Sequence, residues 1–270
     1  MTIFRFASVG DNCIDRFQPP LAQSLVGGNA VNVAVQLARL GQSSSYFGAV
    51  GADRDGTRTR ELLAENGVDV AHLHSRAGIT AYTDIAVLAS GERVIGHEDF
   101  GVCAGYRPDR REIDILKSMD HVHIGWMDDG GELRRTLAAA GVSLSQDISV
   151  NADPANLGVA GLAIAFGSAG EDEAAAEAMI TAFLAQGAGI AVVTCGARGA
   201  MADNGGTRAR TGIRPVEVVD TTGAGDSFIA GFIAAHVGGL SLSGCLEAGR
   251  DQAAATCGHI GGFPQVPHPL

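Results

Sequence analysis

The segment Asp220-Thr221-Thr222-Gly223-Ala224-Gly225-Asp226 sets a carboxylate directly after a Gly-Ala-Gly turn and directly before the apolar run SFIAGFIAAHV. Glycines at 223 and 225 let the backbone approach a ligand closely. The first amides of the following helix have no intrahelical acceptor, so they and the helix dipole favour an anion. Phosphate could be held there without a lysine. In the first helical turn Asp226 would stand beside that anion, where it could take a proton from an incoming hydroxyl. Aspartate is also common in helix first turns, and on this motif alone a cap and a base are equally good readings. A dinucleotide loop fits less well: the pattern is GxGxxF, lacking the last glycine, and only about forty residues follow it.

Two other segments carry polar groups at informative spacings. Asp11, Asn12 and Asp15 follow the first apolar stretch, and Gly27-Gly28 precede a run that carries Asn32. At the carboxyl ends of parallel strands, short Asp and Asn side chains offer the donors and acceptors that a polyhydroxylated ligand needs. Standing alone, that cluster is better read as turn and cap residues. In Val193-Thr194-Cys195-Gly196-Ala197-Arg198-Gly199-Ala200 a strand ends in a turn with two glycines, by itself only a turn. Lys117 is the only lysine, and its context ILKSM is neither GxxxxGK[ST] nor VAIK. Nucleotide chemistry would have to proceed without a phosphate-binding lysine of those kinds.

The elements that must position these residues follow from periodicity. Residues 3–9 read as a strand, 30–40 as a buried helix introduced by Gly27-Gly28-Asn29 and stopped by Gly41, and 46–50 as a second strand. A helix over about 56–66 takes Asp55 as its N-cap, with Gly67 after its end. Strands are expected at 121–125, 143–148, 162–166 and 190–195, with helical stretches such as 171–186 between them, and 216–219 as the strand entering the glycine turn. This alternation predicts an α/β fold with a mainly parallel sheet covered by helices on both faces. The segment 80–98 breaks the rhythm and reads as two strands joined at Ser90-Gly91, an antiparallel appendage on the main sheet. With no linker or repeat, residues 1–270 form one domain.

Composition narrows the function classes. A chain of 270 residues with 46% hydrophobic and 18% charged residues can bury a large core and is neither disordered nor fibrous. A net charge of −11 without a basic cluster argues against nucleic acid. No segment has the length of a membrane span and the start MTIFRFASVGDN is not a secretory signal, so a cytoplasmic protein is expected. Cys13, Cys103, Cys195, Cys245 and Cys257 are odd in number and lack a CxxC pair, which predicts buried thiols. The pairs His72/His74 and His121/His123 each share a strand face, as in some metal hydrolases, but buried or surface histidines explain them better.

Taken together and in this order, DTTGAGDSFIAGF (220–232), GGNAVNVAVQLARLG (27–41) and TCGARGA (194–200) resemble the ribokinase or PfkB family of carbohydrate kinases over essentially the whole chain. The resemblance implies a ribokinase-like three-layer α/β/α fold with a small β-strand lid, in segments about 12–20 and 79–105, which in the family often mediates homodimerisation. It implies ATP-dependent phosphate transfer to a sugar hydroxyl, with Mg2+ and in some members K+. Asp226 then matches the catalytic base, and Gly223, Ala224 and Gly225 the anion hole. Asp11, Gly27, Gly28 and Asn32 fall on the sugar side, Thr194, Gly196 and Gly199 on the nucleotide side, and Asp220 and Thr222 on the monovalent-cation positions. The magnesium-associated Asn-x-x-Glu reads Ser168-Ala169-Gly170-Glu171, so Glu171 is kept while the asparagine is replaced. As the opening residue of a helix, Glu171 would otherwise serve the dipole.

GDNCID (10–15), GGNAVNVAV (27–35) and the short chain are similar to members that phosphorylate the 6-hydroxyl of an amino acid joined to fructose. Such a sugar-amine would need acidic partners for its ammonium, and Glu98, Asp99, Asp128 and Asp129 are candidates, each better read singly as a solvated loop residue. The alternatives are a kinase of ribose, fructose or adenosine, and an inactive sugar-binding regulator.

Overall fold

Side-chain alternation in the first strand dictates a layered fold. The computed structural model describes residues 2–87 and 93–270. In β1 (Arg5–Val9), Phe6 packs on one side of the sheet and Ala7 and Val9 on the other, so both faces must be covered. The chain continues through β2 (Cys13–Phe17), β3 (Gln23–Gly27), α1 (Asn29–Arg39), β4 (Ser43–Gly51), α2 (Arg54–Glu65), β5 (Asp69–Arg76), β6 (Tyr82–Val87), β7 (Arg93–Asp99), α3 (Arg110–Leu116), β8 (His121–Ile124) and α4 (Glu132–Ala139). It ends with β9 (Leu144–Asp147), β10 (Ile164–Ser168), α5 (Glu173–Ala185), β11 (Ile190–Thr194), β12 (Ala200–Asp203), β13 (Arg208–Thr211), α6 (Ala224–Val237), α7 (Leu242–Thr256) and the short β14 (His268–Pro269).

The main sheet runs β13-β12-β11-β10-β9-β8-β1-β4-β5. From β11 to β5 every neighbouring pair is parallel, and β12 and β13 extend the edge antiparallel. On one face Phe6, Phe166 and Val192 pack against Leu37 of α1, Phe228 and Phe232 of α6 and Leu246 of α7. On the other, Val9, Val122 and Leu144 meet Leu116 of α3, Leu137 of α4 and Phe183 of α5. This is the expected three-layer α/β/α arrangement. No helix among the described residues is long and apolar enough to cross a membrane.

A second sheet runs β14-β3-β2-β6-β7. The hairpin expected at 80–98 therefore does not extend the main sheet. Its first strand pairs in parallel with β2, which in turn pairs antiparallel with β3, a strand that its Gly-rich surroundings conceal in the sequence. The Ser90-Gly91 turn lies outside the described residues.

Three local expectations shift. The N-cap of α2 is Asp53, which accepts the Gly56 amide at 2.7 Å, while Asp55 sits in the first turn facing Arg16 at 3.4 Å. α5 starts at Glu173, capped by Asp172, so Glu171 precedes the helix rather than opening it. Residues 216–219 form no strand: Val216, Val218 and Val219 are exposed, and the Val219 amide donates to the Cys257 carbonyl at 2.8 Å, so no ladder partner is engaged.

Candidate active site

The carboxyl ends of β1, β8 and β9 and the first turns of α1 and α6 converge on one group of polar side chains. Asp11 follows β1 and is buried beneath the start of α1. Its Oδ2 accepts the Asn29 amide at 2.6 Å, and its Oδ1 accepts the amides of Ala30 at 3.2 Å and Trp126 at 2.9 Å. The two α1 amides lack intrahelical acceptors, so Asp11 pins the helix start onto the strand end. Gly28 has φ +105°, and a Cβ there would lie 2.8 Å from Asn12 Cα, so only glycine admits this turn. A Cβ on Gly27 would come within 2.9 Å of Asp15 Oδ2.

One turn apart on α1, Asn29 and Asn32 both reach the first turn of α6. Asn29 Nδ2 donates to Asp226 Oδ1 at 2.7 Å and to Asp147 Oδ2 at 3.1 Å, while Asn32 Nδ2 donates to Asp226 Oδ2 at 2.7 Å. Asp226 thus bonds across to α1 rather than capping its own helix, and each of its oxygens is fixed by one amide. Asn32 Oδ1 and Asn12 Oδ1 are buried acceptors with no partner among the described residues. Such atoms suit a ligand that brings hydroxyl donors.

Gly223, at φ +72°, is the N-cap of α6, and a Cβ there would collide with Gly262 Cα. The Ala224 amide turns to the Thr221 carbonyl at 3.2 Å, and the first intrahelical bond runs from Ser227 N to Gly223 O at 2.9 Å. Of the expected anion hole, then, Ala224 directs its N–H into the turn. The amides of Gly225 and of Asp226 itself precede the first intrahelical bond and have no acceptor among the described residues. Buried Asp220 accepts the amides of Thr222 at 2.7 Å and Gly261 at 2.9 Å, tying this turn to the loop after α7.

Thr194, Gly196 and Gly199 form a separate turn at the end of β11. Thr194 Oγ1 donates to the Gly167 carbonyl at 3.3 Å, and Gly196 and Gly199 have φ +53° and +89°. A Cβ on Gly196 would lie 3.4 Å from Glu171 Cγ, which places the exposed Glu171 beside this turn.

Comparison with known proteins gives the family of the chain. Residues 22–126 and 143–269 match the pfkB family of carbohydrate kinases. The chain belongs to that family. It is 36% identical over 259 residues to fructoselysine 6-kinase of Shigella flexneri, covering 95% of this chain and 98% of that one. It is 29% identical over 265 residues to a fructosamine kinase of Bacillus subtilis, covering 96% and 93%. Its fold is similar to that of Arabidopsis thaliana ribokinase complexed with ribose and ATP, with a TM-score of 0.86, 21% identity and coverage of 98% and 96%. This PfkB kinase is a sugar kinase.

In the kinase, burial raises the pKa values of Asp11, Asp147 and Asp226. For Asp226 burial is the main cause, the charges of Asp147 and Asp11 add to it, and the Asn32 and Asn29 amides oppose it, leaving the carboxyl at about 7. A group poised there exchanges protons near neutrality.

Asn29, Asp147 and His123 belong to this network and were not legible as site residues. Asn29 carried the one usable signal, its three-residue spacing from Asn32 on a helix. His121 and His123 do share a face, fully buried, but they bond serines and Asn29. His72 stacks on Phe47 and His74 bonds Glu112 at 2.7 Å. No group of three or more His, Cys, Asp or Glu among the described residues is arranged to hold a metal.

Among the acidic ammonium candidates, Asp128 pairs with Arg107 at 2.8 Å and Asp129 accepts the Gly131 and Leu133 amides at the start of α4. Asp99 accepts the Gly101 amide at 2.8 Å, and Glu98 lies 3.4 Å from the Thr83 hydroxyl. All five cysteines are free thiols, but Cys13 and Cys257 are only partly buried. Lys117 pairs with Asp114 at the end of α3.

Proposed function

We propose that this kinase transfers the γ-phosphate of ATP to the 6-hydroxyl of fructoselysine or another fructosamine, with Asp226 as general base. The observation that carries the reading is the carboxylate of Asp226, held between two asparagine amides beside the open amides of an α6 N-terminus. The sugar lies against Asp11, Gly27, Gly28 and Asn32. As the substrate oxygen bonds to phosphorus, its proton passes to Asp226, and the bond between the γ-phosphorus and the bridging oxygen breaks to release ADP. The amides of Gly225 and Asp226, with Gly223 shaping the turn, stabilise charge on the transferring group. Thr194, Gly196 and Gly199 seat the nucleotide. Mg2+, beside Glu171, whose hard oxygens suit it, neutralises phosphate charge when bound. Asp220 and Thr222, which brace the same turn, would hold K+.

Similarity to fructoselysine 6-kinase along nearly the full length of both chains supports the substrate. A phosphorylation screen over fructose–amino acid adducts, ribose, fructose and adenosine tests it. Turnover should be highest on an adduct. Activity on ribose or adenosine alone would remove the fructosamine reading, and ligand-induced stabilisation without ATP consumption would point to a binding regulator.

A further inference from the structure

Behind Asp226 a chain of buried hydrogen bonds runs through α1 into the main sheet. Asn29 Oδ1 stands 3.0 Å from His123 Nε2, and His123 Nδ1 stands 3.0 Å from Ser145 Oγ on β9. Ser145 Oγ lies 2.8 Å from His121 Nε2, and His121 Nδ1 lies 2.9 Å from Ser143 Oγ. Both rings and Ser145 are fully buried.

With Asp226 and Asp147 ionised, donor bookkeeping sets the direction of each bond. Two carboxylates face one end of the Asn29 amide, so that end is the nitrogen and both its hydrogens are used. Oδ1 is therefore an acceptor, and His123 must donate from Nε2. A neutral His123 then accepts at Nδ1, which takes the single Ser145 proton. Ser145 in turn accepts from His121 Nε2, and His121 Nδ1 accepts from Ser143. All donors point the same way, toward Asp226. Burial keeps both imidazoles neutral by pushing their pKa values down to about 3.

Resting on the assignment of Asp226 as the base, we infer that His123 is a positioning residue for phosphoryl transfer: it anchors the oxygen of the Asn29 amide and so holds the amide nitrogen on Asp226. Without His123 the buried Asn29 Oδ1 loses its donor and the side chain its anchor, which weakens the hold of Nδ2 on Asp226 and disfavours the ionised form of that carboxyl. The groups facing Asp226 are Asn29 and Asn32 of α1, Asp147 of β9 and Asp11 after β1. Those facing His123 are Asn29, Ser145 and His121, with His236 of α6 near His121.

The test compares kcat, KM and the pH profile of kcat/KM for wild type, His123→Phe and His123→Gln, with Asp226→Asn as reference. His123→Phe should lower kcat about tenfold, change the sugar KM little, and move the acid limb upward by about one pH unit. His123→Gln, whose amide nitrogen replaces Nε2–H, should restore both. A wild-type profile in His123→Phe, or equal impairment in His123→Gln, overturns the inference while Asp226→Asn remains inactive. An active Asp226→Asn would instead remove the base assignment on which it rests. Should His123→Phe fail to fold, nitrogen-15 NMR of the wild type decides: a neutral Nε2–H tautomer at residue 123 through pH 5–8 is expected, and an Nδ1–H or charged ring refutes it.

Discussion

Asp226 combines two properties that a helix-capping aspartate does not need: its oxygens bond to another helix, and its pKa is lifted to about 7. A base acts ionised, so turnover should rise with pH through an acid limb near 7 and then level off, read from kcat/KM against pH. The same shift bears on stability. A carboxylate with a raised folded-state pKa binds its proton in the folded chain before the unfolded chain does. The stability it lends is present at low pH and is lost as pH rises from the ordinary value of 3.8 through about 7. Thermal melts should therefore show Tm falling as pH rises from about 4 to about 7, with a flatter slope in Asp226→Asn. An unchanged slope would mean that Asp226 is not the buried group responsible.

At the scale of elements, the glycine turn before α6 makes the strongest demand on the backbone. Gly223→Ala would force a side chain into φ +72° and against Gly262. A cost of about 2 kcal/mol or more is expected, with Tm lower by several degrees and turnover reduced beyond what that loss explains, checked by calorimetry and kinetics.

This turn and the α1 start were legible because their glycines and polar residues are local in sequence. The strand expected at 216–219 was not real, because alternating Val and Glu satisfy a strand pattern whether or not a ladder partner exists. β3 was missed because five residues beside Gly27-Gly28 read as a loop until β2 lies next to them. The Asn29 and His123 contacts join residues 94 apart, and no local pattern reports that.

For the whole molecule, the parallel alternation announced the layers, while the second sheet emerged only from pairings between distant segments. Its strand β7 leaves Val94 and Ile95 exposed, with Ile95 at 65%. As the proposed lid, it should pair with a second copy, so sedimentation should give a dimer, and Ile95→Glu should shift it toward monomer. A wild-type monomer at assay concentration would exclude lid-mediated pairing.

The central claim is that Asp226 activates the hydroxyl being phosphorylated, and the most direct measurement is single-turnover transfer of the γ-phosphate to fructoselysine by wild type and Asp226→Asn at pH 8. The rate in the variant should fall by about 10²- to 10⁴-fold while its fold and ATP binding persist. Near-normal transfer by Asp226→Asn would contradict the account.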